Sequence, residues 1–178
     1  MRARTDVRRV TRLLILAAVG IGSFALTLWA TAPRTTSSGA DDFRPDAERL
    51  ASYSISSTPD LVEAVISLGF SRSQQMAANI DGMSRINDRE VAVNGWLADP
   101  GGDATPLKLL VFVAGKLAAA TETQGERPDV ARAHALTQGA EKNVSFQTKF
   151  GCSPGQQPVI VGLGLGKQYI RVKSPPCP

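Results

Sequence analysis

Residues 159–170, VIVGLGLGKQYI, place a glycine at every second position of an apolar run. Successive side chains of a strand point to opposite faces, so the three glycines would share one face and the branched residues between them the other. A face without side chains allows another segment to approach closely, and the candidates are Trp96, the loop between the two cysteines and a partner's backbone. We therefore interpret these glycines, Gly162, Gly164 and Gly166, as structural residues that allow close packing within a β fold.

The same glycines followed by a lysine also suggest a phosphate-binding loop, but their spacing excludes one. A Walker loop has four residues between its outer glycines, then Lys and Ser or Thr. Here three residues separate Gly162 from Gly166, and Gln168 follows Lys167. The dinucleotide fingerprint has the wrong spacing too, and residues 168–173, QYIRVK, alternate like a strand where that fingerprint requires a helix. We expect the protein to bind no nucleotide and no cofactor.

Three other stretches carry the period of two and the turn residues that are typical of antiparallel strands. In residues 89–102, REVAVNGWLADPGG, the alternation ends at an Asp-Pro-Gly-Gly turn. Residues 106–122, PLKLLVFVAGKLAAATE, predict a hairpin with a tight turn at Ala114 and Gly115, and residues 143–150, NVSFQTKF, alternate again. One face of the first stretch would carry Val91, Val93, Gly95 and Leu97.

Regular strands with turns between them and no long helices predict a mainly β fold, an antiparallel, Ig-like β-sandwich over residues 80–178. Residues 58–79 are predicted to be a short helical segment, because Pro59 suits the first turn of a helix. This helix would pack on the domain or against a partner. Residues 33–57 are small and polar at their start and predict a linker, within which Pro45 marks a second helix start.

The amino-terminal residues have the charge pattern of a membrane anchor. Residues 1–12 contain five arginines and one aspartate, and residues 13–32 contain no charged side chain. About 20 apolar residues form roughly 30 Å of helix, enough to cross a bilayer. The positive-inside rule then predicts a cytoplasmic basic tail, a transmembrane helix through the inner membrane, and a domain in the periplasm or outside the cell.

A cleaved signal peptide is the alternative. Residues 30–32, Ala-Thr-Ala, have the small-x-small form of a cleavage site, but Pro33 is a poor residue directly after the cut. The apolar run is also longer than the core of about 7–15 residues that is usual in a signal peptide. We therefore favour an uncleaved signal-anchor, whereas cleavage would release a secreted binding protein.

The chain has a net charge of +4 and a pI of about 9.4. The arginine-rich tail accounts for the whole excess, since the rest of the chain has equal numbers of basic and acidic residues. The basic pI therefore reflects membrane topology and gives no support for nucleic-acid binding.

Cys152 and Cys177 are the two cysteines of the chain. In an oxidising compartment such a pair is most simply a disulfide, and two buried free thiols are the alternative. In the chain-entropy model the bridge would stabilise the fold by roughly 3–4 kcal/mol. A tetrahedral metal site would need distant carboxylates beside these thiols and the single histidine, so we expect no metal.

Three stretches, VAVNGWLADPGGD, VFVAGKLAAATETQGERPDVARA and NVSFQTKF, together resemble a small Ig-like β-sandwich module of bacterial envelope proteins. The resemblance covers roughly residues 88–151. It implies a module that occurs beside glycosyltransferase domains and in anchored proteins, without assigned catalytic residues. The residues that match its pattern are Gly95, Trp96, Asp99, Gly115, Arg127, Pro128, Asp129, Val130 and Phe146.

Trp96, Arg127 and Asp129 are the candidates for ligand contact. We interpret Trp96 mainly as a cover for one side of the core, with stacking on a sugar as the alternative. Pro128 would begin a short turn of helix, and Asp129 would face its N-terminus. Arg127 would then pair with Asp129 or bond loop carbonyls as a structural corner, or it would bind a ligand.

The sequence favours a protein that is not an enzyme. Any Ser-His-Asp arrangement must use His134, which we place on a solvated short helix, and no Gly-x-Ser-x-Gly elbow is present. We expect a non-catalytic envelope module that binds or assembles with an envelope protein or a glycan. The alternative is an accessory subunit of a membrane glycan enzyme.

The anchor and the disulfide are tested together by the intact mass of the protein from its native membrane fraction, before and after reduction and alkylation. We expect the full-length mass and two alkylated thiols only after reduction. A mass that begins near Pro33, recovered from the soluble fraction, would instead identify a secreted module.

Overall fold

The computed structural model describes residues 43–178, which lie within one unit, Ser38–Pro178. The predicted basic tail, the predicted transmembrane segment and most of the amino-terminal half of the predicted linker lie outside the described residues. Among residues 43–178 no helix combines the length and the apolar character that crossing a bilayer requires.

The described part of the chain is mainly β, with two sheets and a few short helices. The helices are α1 (Arg44–Ala51), α2 (Thr58–Ser67) and α3 (Pro128–Ala133). The strands are β1 (Ser71–Arg72), β2 (Ala77–Asn87), β3 (Glu90–Ala98), β4 (Lys108–Val113), β5 (Lys116–Glu122), β6 (Ser145–Gly151), β7 (Val159–Gly164) and β8 (Gln168–Val172). Short 3₁₀ turns, Ala140–Lys142 and Leu165–Lys167, precede β6 and β8.

A five-stranded sheet has the order β1-β8-β7-β4-β5, and a three-stranded sheet has the order β2-β3-β6. All strand pairs are antiparallel except β1 with β8, which is parallel. The predicted hairpin is confirmed, because β4 and β5 pair directly across Ala114 and Gly115. Both turn residues have positive φ, 50° and 79°, which matches the right-handed twist of the two strands.

The five-stranded sheet lies between two different layers. One of its faces shares a buried cluster with α1 and α2, to which the sheet contributes Leu110, Phe112, Val161, Leu163 and Tyr169. The alternate residues of β4, β7 and β8 face the three-stranded sheet and share the second cluster with residues of β3 and β6. The two sheets therefore form a sandwich, as the alternation predicted, and helices cover its other side.

The helical layer begins earlier in the chain than the sequence predicted. Phe43, Ala47 and Leu50 are buried with α2 and the sheet, so residues 43–51 belong to the folded domain and are not a linker. Their apolar positions recur at helical spacing, but the segment is too short for that pattern to stand out. Residues 58–79 are helical only as far as Ser67, and β1 and the start of β2 follow.

Helix α2 packs on the domain and begins at Thr58, which the sequence suggests as its cap; the cap is Ser57, one residue earlier. Ser57 accepts a hydrogen bond from the backbone N–H of Asp60, whose carboxylate accepts one from the Ser57 N–H in return. This capping box satisfies two of the free N–H groups at the start of the helix. The buried face of the helix is formed by Leu61, Ala64 and Val65.

The glycines of β7 allow the sheets to approach, and their neighbours differ from those we expected. A Cβ on Gly162 would lie 2.6 Å from a methyl carbon of Leu97, and one on Gly164 would lie 2.8 Å from the sulfur of Met76. The bare face therefore receives Leu97 and Met76 in place of Trp96 or the disulfide loop. Gly166 lies beyond the strand, and its positive φ of 63° serves the turn into β8.

The lysine of the glycine-rich stretch contacts a helix. Lys167 Nζ lies 2.7 Å from a carboxylate oxygen of Asp46, a residue of α1 that is 9% exposed. The hydrogen bond from Lys167 holds the pKa of the Asp46 carboxyl below its ordinary value. This pair joins the turn between β7 and β8 to the helical layer.

Cys152 and Cys177 form a disulfide, as predicted, with a sequence separation of 25. Two backbone hydrogen bonds run beside it, from the Gly155 N–H to the Cys177 oxygen and from the Cys177 N–H to the Gln156 oxygen. The bridge thus ties the segment after β6 to the segment after β8.

We expect Gly162→Ala to destabilise the domain by about 1–3 kcal/mol, because the new methyl group overpacks the contact with Leu97. Chemical denaturation measures this change. Adding Leu97→Ala removes the colliding methyls, so the double variant should be less destabilised than the sum of the single changes.

Gly151→Ala is the matched control, since a Cβ there would lie 3.5 Å from the nearest atom, an ordinary contact. Equal losses of stability in the two glycine variants would contradict the role we assign to Gly162.

Candidate functional site

Several residues that carry the family resemblance lie together in the structure, whereas Gly115 lies in the β4–β5 turn of the other sheet. Gly95 and Phe146 are opposite each other on β3 and β6, and a Cβ on Gly95 would lie 2.8 Å from the Phe146 ring and collide with a backbone oxygen of β2. Trp96 packs beside Val130, the buried residue of α3. Motifs far apart in sequence thus form one region on the three-stranded sheet.

Arg127 is held by two carboxylates. It donates from Nε and from one terminal nitrogen to the two oxygens of Asp129, at 2.9 and 2.7 Å. Its other terminal nitrogen donates to Asp81 at 2.6 Å. The side chain is 27% exposed, and the two carboxylates are 31% and 61% exposed. The predicted pairing with Asp129 is therefore present, and Asp81 is a partner that the sequence did not reveal.

Residues 124–125, which precede Arg127 in the chain, are held by hydrogen bonds to residues 144–145 at the start of β6. The Gln124 N–H donates to the Ser145 carbonyl oxygen at 2.6 Å, and the Ser145 hydroxyl donates to the Gln124 carbonyl oxygen. The Val144 N–H donates to the Gly125 oxygen. Pro128 then occupies the first turn of α3, where its missing N–H leaves no bond unmade. The segment that carries the Arg127 side chain is therefore held in place by these hydrogen bonds and by the start of α3.

Asp81 reaches Arg127 because β2 is irregular at that point. The pairing of β2 with β3 shifts between Ile80 and Gly82, which leaves Asp81 as the extra residue of a bulge. The Asn79 amide donates to the second oxygen of Asp81 at 3.1 Å. In the sequence, the bulge is indicated by the pair Asp81-Gly82, which interrupts an apolar alternation. That pair does not indicate which residue Asp81 contacts.

The ion pair between Arg127 and Asp129 shifts the pKa of both groups. Hydrogen bonds from Arg127 hold the pKa of the Asp129 carboxyl well below its ordinary value. Hydrogen bonds to Asp129 and Asp81 in turn raise the pKa of the Arg127 guanidinium above its ordinary value. Arg127 and Asp129 therefore stay charged across the physiological pH range.

A cleft of about 250 Å³ lies beside this ion-pair group. Asn94 and Gln147 are opposite each other on β3 and β6, and both point away from the core because they alternate with buried residues. Most of the lining offers hydrogen-bond donors and acceptors, whereas the Phe146 ring is buried between the two sheets. The lining residues are Asp81, Asn94, Gly95, Gln124, Arg127, Ser145, Phe146 and Gln147.

Trp96 lies next to the cleft but does not line it. Its ring centroid is 5.0 Å from that of His134, with the planes tilted by 48°. The indole also packs with Val130 and Leu136 in a small cluster under α3. This position agrees with our interpretation of Trp96 as a cover, and it leaves the indole with less free surface for a sugar.

His134 follows the last residue of α3, and its imidazole is half-buried against Trp96. Within residues 43–178 no group of three or more His, Cys, Asp or Glu side chains is arranged to hold a metal ion. Cys152 and Cys177 belong to the cluster between the sheets and contribute nothing to the lining of the cleft. The chemistry that this region offers is hydrogen bonding from fixed polar groups.

No model of a protein family matches this chain, and searches of curated proteins and of solved structures find no significant similarity to it.

We expect Asp129→Asn to lower the thermal stability at neutral pH, because the bidentate pair with Arg127 is lost. In the folded protein the pKa of the Asp129 carboxyl lies below 3.8. The contribution of the ion pair to stability is therefore complete above that pH and is lost as the pH falls further. The difference in melting temperature between wild type and variant should therefore narrow in acid.

Asp88→Asn is the control, since the Asp88 carboxylate forms no ion pair with any residue from 43 to 178. A difference for Asp129→Asn that is the same at neutral and acidic pH would show that the ion pair does not contribute.

Proposed function

We propose that the protein is a non-catalytic binding module and that it holds a glycan in the cleft beside Arg127. The observation that carries this proposal is the lining, in which amide, hydroxyl and charged groups converge on the outer face of a packed sheet. Binding sites place a few polar groups in fixed positions, and these groups determine which ligand is accepted.

Sugars suit these groups because each hydroxyl both donates and accepts hydrogen bonds. The amides of Asn94, Gln124 and Gln147 offer donors and acceptors side by side. Arg127 adds a guanidinium that its two carboxylates already orient, so little side-chain entropy is lost when a ligand binds.

The amino-terminal sequence supports a location in the cell envelope. Five arginines before an uncharged stretch support an inner-membrane signal-anchor, with the binding domain in the periplasm or outside the cell. The disulfide is consistent with an oxidising compartment. The same placement supports the proposal that this is an Ig-like envelope module, as the resemblance implies.

A binding assay with the full-length protein in neutral detergent tests the proposal. The probe is an array of bacterial envelope polysaccharides and peptidoglycan fragments. For any glycan that binds, the double variant Asn94→Ala, Gln147→Ala should weaken binding by about ten-fold or more, because two fixed hydrogen-bonding groups are removed. Both side chains are on the solvent face of the sheet, so the fold should be retained.

Lys149→Ala is the matched control, because Lys149 lies on β6 next along the solvent face from Gln147 and outside the cleft. Binding that survives the double variant, or no binding to any glycan on the array, would contradict the proposal. In the second case crosslinking in the native membrane would direct attention to a protein partner.

A further inference from the structure

A second cleft, of about 450 Å³, is lined by three cationic side chains. They are Arg72, Arg171 and Lys173, and the remaining lining residues are Gln157 and Ser174. All three cations are exposed. This cleft belongs to the five-stranded sheet and shares no residue with the polar cleft beside Arg127.

The three cations share one face because of the parallel pairing of β1 with β8. Arg72 is in register with Tyr169, so their side chains point the same way. Arg171 and Lys173 follow Tyr169 at intervals of two and alternate with the buried Val172, which places them on that face as well. Two segments that are distant in sequence thus bring three positive charges to one place.

None of these charges is neutralised by an acidic side chain in the part of the chain that the structure describes. Neither Arg72, Arg171 nor Lys173 forms an ion pair with a residue from 43 to 178. The lining contains no carboxylate, and no acidic residue follows Glu141 in the sequence. Like charges held together without a counter-charge repel each other, so an anion in the cleft would lower the energy of the arrangement.

The two other lining residues, Gln157 and Ser174, are joined by hydrogen bonds. The Gln157 amide donates to the carbonyl and hydroxyl oxygens of Ser174 at 2.8 and 3.2 Å, and that hydroxyl donates to the Pro158 oxygen at 2.9 Å. The disulfide between Cys152 and Cys177 closes the same two segments a few residues away. The cleft therefore has a fixed wall and does not depend on a free loop.

We propose that this cleft binds a phosphate-bearing anion. Two guanidinium groups and one ammonium group suit phosphate, since arginine bonds two of its oxygens at once and lysine adds a point charge. The volume admits one or two phosphate groups with part of what they are attached to. Two sources share this chemistry, the headgroup of an anionic phospholipid and a soluble phosphoester.

Nuclear magnetic resonance of the full-length protein tests the proposal and separates the sources. The first probe is inorganic pyrophosphate, titrated into protein held in neutral detergent. The second is a pair of nanodiscs, one of phosphatidylcholine alone and one that also contains phosphatidylglycerol. The readout is the side-chain N–H signals of Arg72 and Arg171 and the backbone amide of Lys173.

We expect saturable shifts with pyrophosphate that weaken as salt is added, because the attraction between exposed charges is screened. A further response only in discs with phosphatidylglycerol would identify the lipid headgroup as the source. A response to pyrophosphate without any response to phosphatidylglycerol would identify a soluble phosphoester.

The triple variant Arg72→Gln, Arg171→Gln, Lys173→Gln should weaken pyrophosphate binding by about ten-fold or more, because three charge-assisted contacts are lost. Lys173→Gln alone, beyond the end of β8, should weaken it partially and guards against a loss of fold. The charge-matched control is Lys116→Gln, Lys142→Gln, Lys149→Gln, which should leave binding unchanged. An equal loss in the control, or no saturable shift with either probe, would overturn the proposal.

Discussion

The contact between Leu97 and the bare backbone at Gly162 sets the distance between the two sheets, and the rest of the domain depends on it. Because Gly162 has no side chain, Leu97 from the three-stranded sheet packs directly on the backbone of β7. Met76 does the same at Gly164. The cluster between the sheets then closes around these two contacts with side chains of normal size from the neighbouring strands.

Strand β7 is apolar on its second face as well, so that face also has to be covered. Val161 and Leu163 point away from the three-stranded sheet, and they would be exposed without α1 and α2. The two short helices therefore complete the core, and the pair between Asp46 and Lys167 joins them to the turn after β7. A strand with its whole length buried needs layers on both sides, which explains why the domain has three layers.

Each of the two packed sheets carries a cleft on its surface. The outer face of the three-stranded sheet carries the polar cleft, where Arg127 is held between two carboxylates. The five-stranded sheet carries the cationic cleft, where Arg171 and its neighbours form no ion pair with any residue from 43 to 178. The first arrangement suits a neutral ligand rich in hydroxyls and the second suits an anion. The clefts share no residue, so both can be occupied at once.

The amino-acid sequence by itself determined the features that depend on neighbouring residues. Local spacing determines the alternation of β3 and β6, the turn at Ala114 and Gly115, and the pair of Arg127 with Asp129. The tertiary structure alone decided which distant segments meet. Leu97 as the neighbour of Gly162, Asp81 as the second partner of Arg127, and Arg72 beside Arg171 each depend on strand order and register. Pairing between distant segments depends on how well whole surfaces pack, and local periodicity indicates which face of a strand is buried but not which strand pairs with it.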